Sequence, residues 1–208
     1  DVTDGTITSA FDATHDLDLT VNAATASVLK ITGSATQTAG TTNELAITAY
    51  DPYGNTATGY SGSKTLTFSG LGTSPDGNVP TVEGTNFGTG LSVTFTSGVA
   101  TVTTTTLIPF KAETASVDVS DGTIDSTGDP SYDLDLTVNA AAADHLKVTG
   151  TASMTAGATN ELTVTAHDLY GNTATSYTGA KNLTFSGLAT SADNFVPSVE
   201  GTNFGSTT

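Results

Sequence analysis

Apolar and polar residues alternate over short stretches along most of this chain. In residues 43–51, Leu45, Ile47 and Ala49 fall on one face, and small or polar residues fall on the other. Similar short runs occupy residues 16–22, 28–33, 64–69, 79–83, 91–95, 99–105, 115–119 and 134–138. A period of two is typical of half-buried β-strands, and no window sustains the period of 3.6 that indicates a helix.

Clusters of Gly, Asn, Asp and Pro separate these runs. Residues 51–55, Asp-Pro-Tyr-Gly-Asn, predict a tight turn in which Gly54 and Asn55 tolerate positive φ. Asp4-Gly5, Ser97-Gly98 and Asp121-Gly122 predict further turns. Short strands separated by such turns predict an all-β fold of antiparallel, immunoglobulin-like β-sandwiches with Greek-key connections. A barrel is the alternative.

The chain contains a tandem repeat. Residues 38–70 recur as residues 155–187, and the offset of 117 residues aligns 1–91 with 118–208. Of these 91 aligned pairs, 60 are identical. The offset predicts three segments, namely the closing strands of one repeat (1–24), a complete repeat (25–141) and the first part of the next (142–208). Repetition at this spacing indicates a modular array.

The predicted repeat boundaries are out of phase with this stretch of sequence. We expect it to be a slice of a longer array, or its open strand edges to be completed by a neighbouring molecule, since an unpaired edge invites pairing. The junction at residues 133–147 runs through four Ala without a Gly/Ser-rich linker. A short connection of this kind predicts semi-rigid units in file.

The two copies share a set of residues that resembles the bacterial immunoglobulin-like repeats of invasin and intimin type. In the first copy the matching residues are Ala39, Gly40, Ala49, Asp51, Gly54, Asn55, Tyr60, Gly62, Leu66 and Phe68. In the second they are Ala156, Gly157, Ala166, Asp168, Gly171, Asn172, Tyr177, Gly179, Leu183 and Phe185. The resemblance implies a sandwich fold in an exported, repetitive, non-enzymatic protein, and it transfers no ligand.

The chain is strongly acidic. It has 21 Asp and Glu against five Lys and no Arg, which gives a net charge of -16. This balance argues against nucleic acid, whose phosphates require basic residues, and against anionic lipid surfaces. No apolar run approaches the roughly 20 residues of a membrane-spanning helix, so we expect no membrane insertion. The chain has no Cys, so packing or bound ions must supply its stability.

The sequence contains no recognisable set of catalytic residues, and we expect no enzymatic activity. His15, His145 and His167 align with Tyr132, Val28 and Tyr50, so no His recurs between the copies. No nucleophile elbow, P-loop or H-E-x-x-H motif is present. We interpret the three His as isolated turn or surface residues.

Two groups of oxygen-bearing side chains could bind calcium, which takes six to eight oxygen ligands. The first group is the turn, with Asp51 and Asn55 and their copies Asp168 and Asn172. The second lies near the junction and comprises Asp118, Asp121, Asp133, Asp135 and Asp144, with first-copy equivalents Asp1, Asp4, Asp16 and Asp18. The alternative is that these residues make turns and hydrate an outer face. Calcium is therefore a hypothesis, and no other cofactor is expected.

The sequence favours a mechanical function. We expect a structural repeat region of an exported bacterial surface protein, acting as an extended acidic rod in cell adhesion. The alternative is a subunit of an extracellular filament, sheath or surface layer that assembles by strand exchange. In both cases the expected partners are neighbouring repeats or copies of the chain, and the sequence does not identify a host or glycan ligand.

Overall fold

The structure is a computed structural model that describes residues 1–10, 14–101 and 105–206. These residues form strands, turns and irregular segments, and none of them lies in a helix. The all-β prediction is therefore confirmed. The chain divides into two compact units, Asp1–Ala174 and Thr175–Thr208.

The first unit contains most of the strands of the described residues. They are β1 (Val28–Thr32), β2 (Thr36–Thr38), β3 (Asn43–Glu44), β4 (Ala46–Tyr50), β5 (Gly62–Ser69), β6 (Thr81–Val82), β7 (Thr85–Asn86), β8 (Leu91–Thr96), β9 (Val99–Ala100), β10 (Thr106–Ile108), β11 (Glu113–Ser120), β12 (Leu134–Asn139), β13 (His145–Thr149) and β14 (Thr163–His167). Each alternating run predicted between residues 28 and 138 contains a strand. Residues 102–104 of the predicted strand 99–105 lie outside the described residues.

Eight strands form one sheet in the order β1-β4-β9-β8-β5-β11-β12-β2. All neighbours are antiparallel except β12 and β2, which are parallel. The backbone N–H groups of Leu29 and Ile31 in β1 donate to the carbonyls of Asp125 (3.0 Å) and Tyr132 (2.8 Å). These carbonyls belong to the segment that connects β11 to β12. The sheet is therefore curled, so that its first strand, β1, contacts the opposite end of the sheet near β11 and β12.

A second, four-stranded sheet in the order β3-β10-β6-β7 contributes to the same core. The buried apolar side chains form one cluster. Its largest fully buried members are Phe68, Phe95, Leu29, Ile31, Leu45, Ile47, Leu66, Leu107, Leu136, Val82, Val93 and Val117. Leu45, Ile47 and Ala49 are buried, as the alternation predicts. Each such Leu, Ile or Phe contributes about 1.5–3 kcal/mol by leaving water.

The predicted hairpin at Ser97-Gly98 is confirmed. Ser97 has φ 49° and Gly98 has φ 85°, and the turn places Thr96 opposite Val99. Two consecutive residues with positive φ are the requirement of a type I′ turn, whose twist matches that of the flanking strands. The turn therefore fixes the register between β8 and β9.

The strand predicted at residues 16–22 is not formed. Leu17, Leu19 and Val21 are 73–83% exposed, whereas their copies Leu134, Leu136 and Val138 are at most 7% exposed in β12. In β12 these residues lie between β11 and β2, which bond to its backbone. No strand of the described residues lies beside 16–22, so its alternation has no neighbour to pair with. The prediction of a half-buried strand is wrong here for that reason.

The Asp-Gly turns form in both copies. Asp4 Oδ1 accepts hydrogen bonds from the N–H groups of Thr6 (2.8 Å) and Ile7 (2.9 Å). Asp121 Oδ1 accepts the equivalent bonds from Thr123 and Ile124, both at 2.8 Å. These turns need only local contacts, so they form with or without a surrounding sheet.

The start of the second repeat copies the start of the first. Strands β13 and β14 pair His145 with His167 and Thr149 with Thr163. Strands β1 and β4 pair the equivalent residues in the same register. The repeat of sequence is therefore also a repeat of local structure.

The second unit contains β15 (Ser198–Val199) and β16 (Thr202–Asn203), which form a hairpin. Phe185 and Phe204 lie 6.2 Å apart, and Gly205 N–H donates to the Phe185 carbonyl at 2.9 Å. Phe68, Phe87 and Gly88 of the first repeat make the same contacts at the same distances.

Candidate functional site

The Asp-Pro-Tyr-Gly-Asn turn at residues 51–55, here called the N-terminal turn, is organised by the Asp51 carboxylate. Asp51 Oδ1 accepts the backbone N–H groups of Tyr53 (2.9 Å) and Asn55 (2.8 Å). Asp51 Oδ2 accepts the Ala24 N–H (2.9 Å) and the Asn55 Nδ2 amide (3.0 Å). The carboxylate therefore closes the turn and also ties down the chain that enters the repeat.

These bonds lower the pKa of Asp51. Burial raises it, but the Asn55 amide and the N–H groups of Ala24, Asn55 and Tyr53 together have the larger effect. They lower the pKa of Asp51 to about 2. Both carboxylate oxygens already accept N–H donors, whose positive ends would repel a cation. The geometry assigns Asp51 a structural role, and calcium at this turn stays a prediction.

The copy at residues 168–172, here called the docking turn, has the same internal bonds. Asp168 accepts the N–H groups of Ala141, Tyr170 and Asn172, each at 2.9 Å, and the Asn172 amide at 2.9 Å. Burial raises the pKa of Asp168, but the same kinds of hydrogen bond lower it below the ordinary value. The link to Ala141 fixes the start of the second repeat.

Unlike the N-terminal turn, the docking turn contacts the preceding repeat. Asn172 Oδ1 accepts the Ala112 N–H at 2.8 Å, and Asn172 Nδ2 donates to the Phe110 carbonyl at 2.8 Å. Asn172 is 4% exposed. A buried side chain whose polar atoms are all bonded is well defined in position, so the amide fixes the docking turn on the first repeat.

The rest of the docking turn follows the same surface. The Tyr170 ring lies 5.1 Å from the Phe110 ring, and the Tyr170 carbonyl accepts the Asp76 N–H at 3.2 Å. Tyr170 also covers Gly40, where a Cβ would lie 2.6 Å from Tyr170 Cζ. We call Gly40, Asp76, Phe110 and Ala112 the seat. The seat and the docking turn form a direct contact between repeats.

The junction carboxylates come together only in part. Strand pairing places Asp118 next to Asp133, since Val117 lies opposite Leu134. Burial raises the pKa of Asp118; a hydrogen bond from Ser126 opposes this, and the charges of Asp133 and Asp125 add to it. Asp133 Oδ1 is buried and has no hydrogen-bond partner among the described residues. Asp118 and Asp133 are therefore the carboxylates of this group that repel each other.

The other predicted ligands have different partners. Asp121 Oδ2 accepts the Tyr60 hydroxyl at 2.6 Å, and Asp135 Oδ1 accepts the Ser116 hydroxyl at 2.7 Å. Burial raises the pKa of Asp121, but the bonds from Tyr60, Ile124 and Thr123 lower it below the ordinary value. Within residues 1–10, 14–101 and 105–206, no group of three or more His, Asp or Glu residues is arranged to hold a metal ion.

The histidines make local contacts. His145 and His167 stack at 5.7 Å between ring centroids. His145 Nδ1 lies 3.2 Å from Asp144 Oδ2, and His167 Nδ1 lies 2.7 Å from the Gly171 carbonyl oxygen. His15 Nδ1 is 3.0 Å from the Thr14 hydroxyl.

Sequence reasoning found the turn but missed the seat. Phe110 and Ala112 take part mainly through backbone groups, which leave no mark in a sequence. Gly40 stood out as one of the residues shared with the repeat family, although its lack of a side chain also admits Tyr170. The one available signal was that Tyr, Gly and Asn recur unchanged at the turn.

No described helix is long and apolar enough to cross a membrane. Neither a scan against models of protein families nor a search of curated proteins finds a match to this chain.

Proposed function

We propose that this chain is the structural repeat region of an exported bacterial surface protein and acts as an extended, acidic, non-enzymatic rod in cell adhesion. Its repeats would be immunoglobulin-like β-sandwiches with Greek-key connections. The observation that carries the proposal is the contact between docking turn and seat. It joins consecutive repeats through two hydrogen bonds of Asn172 and the packing of Tyr170 on Phe110.

Two further features support a rod. Only a short connection separates the end of β12 at Asn139 from the start of β13 at His145, and Asp168 bonds to Ala141 within it. The net charge of -16 makes neighbouring repeats repel each other beyond their contact. The fixed joint and the charge repulsion both oppose conformations in which one repeat folds back onto its neighbour.

A distance measurement tests the stiffness of the joint. The chain has no Cys, so spin labels attach only at the introduced cysteines Thr94→Cys and Thr163→Cys, both at exposed strand positions. We expect one narrow distance distribution, which Asn172→Ala broadens because it removes both bonds to the seat. The matched substitution Asn55→Ala lies in the N-terminal turn and leaves the distribution narrow. A broad distribution in the otherwise unchanged chain would contradict a stiff rod.

A display experiment tests the role at a cell surface. The chain is placed between a surface anchor and a binding domain of known ligand, and compared with a Gly/Ser linker of equal residue number. A flexible linker samples compact conformations, so we expect the repeats to present the binding domain farther from the surface. Equal capture of a bulky ligand by both proteins would count against the stalk role.

Self-assembly is the second candidate, and one observation favours it. Leu17, Leu19 and Val21 are exposed, although their copies in β12 are buried between two strands. An extended segment with an exposed apolar face can add to the strand edge of another molecule. Sedimentation at increasing concentration tests this candidate, with Leu19→Lys as the variant that blocks burial. If the chain forms polymers at high concentration and Leu19→Lys abolishes them, the filament is favoured. A monomer at every concentration would favour the rod.

A further inference from the structure

The N-terminal turn and the docking turn have the same contacts within themselves but different surroundings. Tyr53 is 81% exposed, and Gly54 and Asn55 are also exposed. Their copies Tyr170, Gly171 and Asn172 are half-buried or buried against the seat. The N-terminal turn therefore presents an aromatic ring and an amide that nothing covers among the described residues.

We infer that Tyr53, Gly54 and Asn55 form a docking site for another repeat of this sequence type. The inference rests on the proposed rod function. It names the surface by which each repeat would bind the preceding repeat. The ligand is the seat of that repeat, namely the peptide corresponding to Phe110–Ala112 and the glycine corresponding to Gly40.

The chemistry of the site is that of peptide recognition. In the docking turn, the Asn172 amide offers one acceptor and one donor to Ala112 N–H and Phe110 C=O. Asn55 carries the same amide, held by the same bonds to the turn's Asp. These bonds go to backbone groups, so the interaction tolerates variation in the partner's side chains.

Shape restricts the partner further. A Cβ on Gly171 would lie 2.7 Å from Asp76 Cγ, so the turn needs a glycine to approach the seat. At Gly54 nothing lies within 4 Å of such a Cβ, although its φ of 80° is the same. The second repeat has Gly157 and Asp193 at the positions of Gly40 and Asp76. The repeat thus retains residues that a seat requires.

The seat of this chain is already filled by its own docking turn. A second copy of the chain as it stands therefore offers no free seat to the N-terminal turn. The occupant is a repeat whose seat is empty, joined ahead of residue 25 in an array. Residues 1–24 align with 118–141, so this junction would repeat the one seen at Asn139 to His145.

The absence of Trp provides a direct test. Tyr53→Trp and Tyr170→Trp are each made in the full chain and in an extended chain, in which a second copy of residues 25–117 precedes Asp1. In the full chain, we expect acrylamide to quench Trp at position 53 freely and Trp at position 170 weakly. In the extended chain, quenching at position 53 falls to the level at position 170, and Asn55→Ala restores it.

Equal quenching at position 53 in both chains would overturn the inference. If the added repeat does not fold, the full chain with Tyr53→Trp is mixed with excess full chain carrying Tyr170→Ala and Asn172→Ala, whose seat is vacated. Loss of quenching with that chain, and none with the unchanged chain, supports the inference; no loss with either overturns it. X-ray scattering of the extended chain reads its length separately. A long particle with an accessible Trp at position 53 refutes the docking alone, and a shielded Trp in a compact particle refutes the rod alone.

Discussion

Gly40 and Gly157 separate the effect of backbone conformation from the effect of the inter-repeat contact. Their φ angles are 80° and 83°, so an Ala at either position is strained, by about 1–2 kcal/mol. Only at Gly40 would the new Cβ also meet Tyr170, at 2.6 Å from Cζ. We therefore expect Gly40→Ala to displace Tyr170 and to lower the free energy of unfolding more than Gly157→Ala.

Chemical denaturation of the two variants measures this difference, and acrylamide quenching of Tyr170→Trp detects the displaced side chain. Gly157→Ala is the control, since nothing lies within 4 Å of its Cβ. Equal losses of stability and unchanged quenching would mean that the ring of Tyr170 does not depend on Gly40.

At the scale of elements, the hydrogen bonds that close the N-terminal turn depend on the ionised Asp51 carboxylate, so we expect the turn to be sensitive to acid. Its pKa is lowered from 3.8 to about 2 in the folded chain. A lowered folded-state pKa means that ionised Asp51 stabilises the fold above about pH 4, and that this contribution is lost as the pH falls through 2. We expect the free energy of unfolding to fall between pH 4 and pH 2, and to fall less in Asp51→Asn.

The measurement is a denaturation series over pH for the unchanged chain and the variant. Asp18→Asn is the control, because Asp18 is exposed and makes none of these bonds. Parallel pH profiles for the unchanged chain and Asp51→Asn would show that the turn does not depend on the ionised carboxylate.

Asp118 in β11 differs from Asp51, because its pKa is raised rather than lowered. Burial and the charges of Asp133 and Asp125 raise the pKa of Asp118, despite its bond from Ser126. A raised folded-state pKa means that the ionised group opposes folding at neutral pH. We expect Asp118→Asn to raise the melting temperature at pH 7, and the matched substitution Asp1→Asn, at the exposed equivalent position of the first copy, to leave it unchanged. A lower melting temperature for Asp118→Asn would contradict the repulsion.

The strands were predictable where both of their sides are supplied by this chain. Alternation identified β1, β4 and β8 because their apolar faces enter one core, and the pair Ser97-Gly98 identified the turn between β8 and β9. The same reasoning was wrong at residues 16–22, because a period of two reports which face is apolar but not whether a neighbour exists. The bonds of Asn172 to the seat escaped prediction because they use backbone groups of Phe110 and Ala112.

For the whole molecule, the net charge of -16 is distributed over carboxylates with different surroundings. The turn carboxylates Asp51 and Asp168 accept N–H donors with both oxygens. Asp118 and Asp133 instead face each other, and one oxygen of Asp133 has no partner among the described residues. This pair is therefore the predicted location for calcium, because Asp133 Oδ1 could coordinate the ion and the ion's charge would relieve the repulsion between the two carboxylates.

Thermal melts in millimolar calcium and in chelator test this location. A ligand that binds only the folded state stabilises it by about 2.7 kcal/mol at 100 times its Kd, so calcium bound at this pair raises the melting temperature. Asp118→Asn should abolish the calcium-dependent increment, since it removes one charge of the pair, while Asp51→Asn should leave the increment intact. Magnesium is the control ion, because its strict octahedral geometry suits few all-protein sites. An increment lost in Asp51→Asn but kept in Asp118→Asn would move the ion to the turn, and identical melts with calcium and chelator would leave packing between docking turn and seat to set the rigidity of the array.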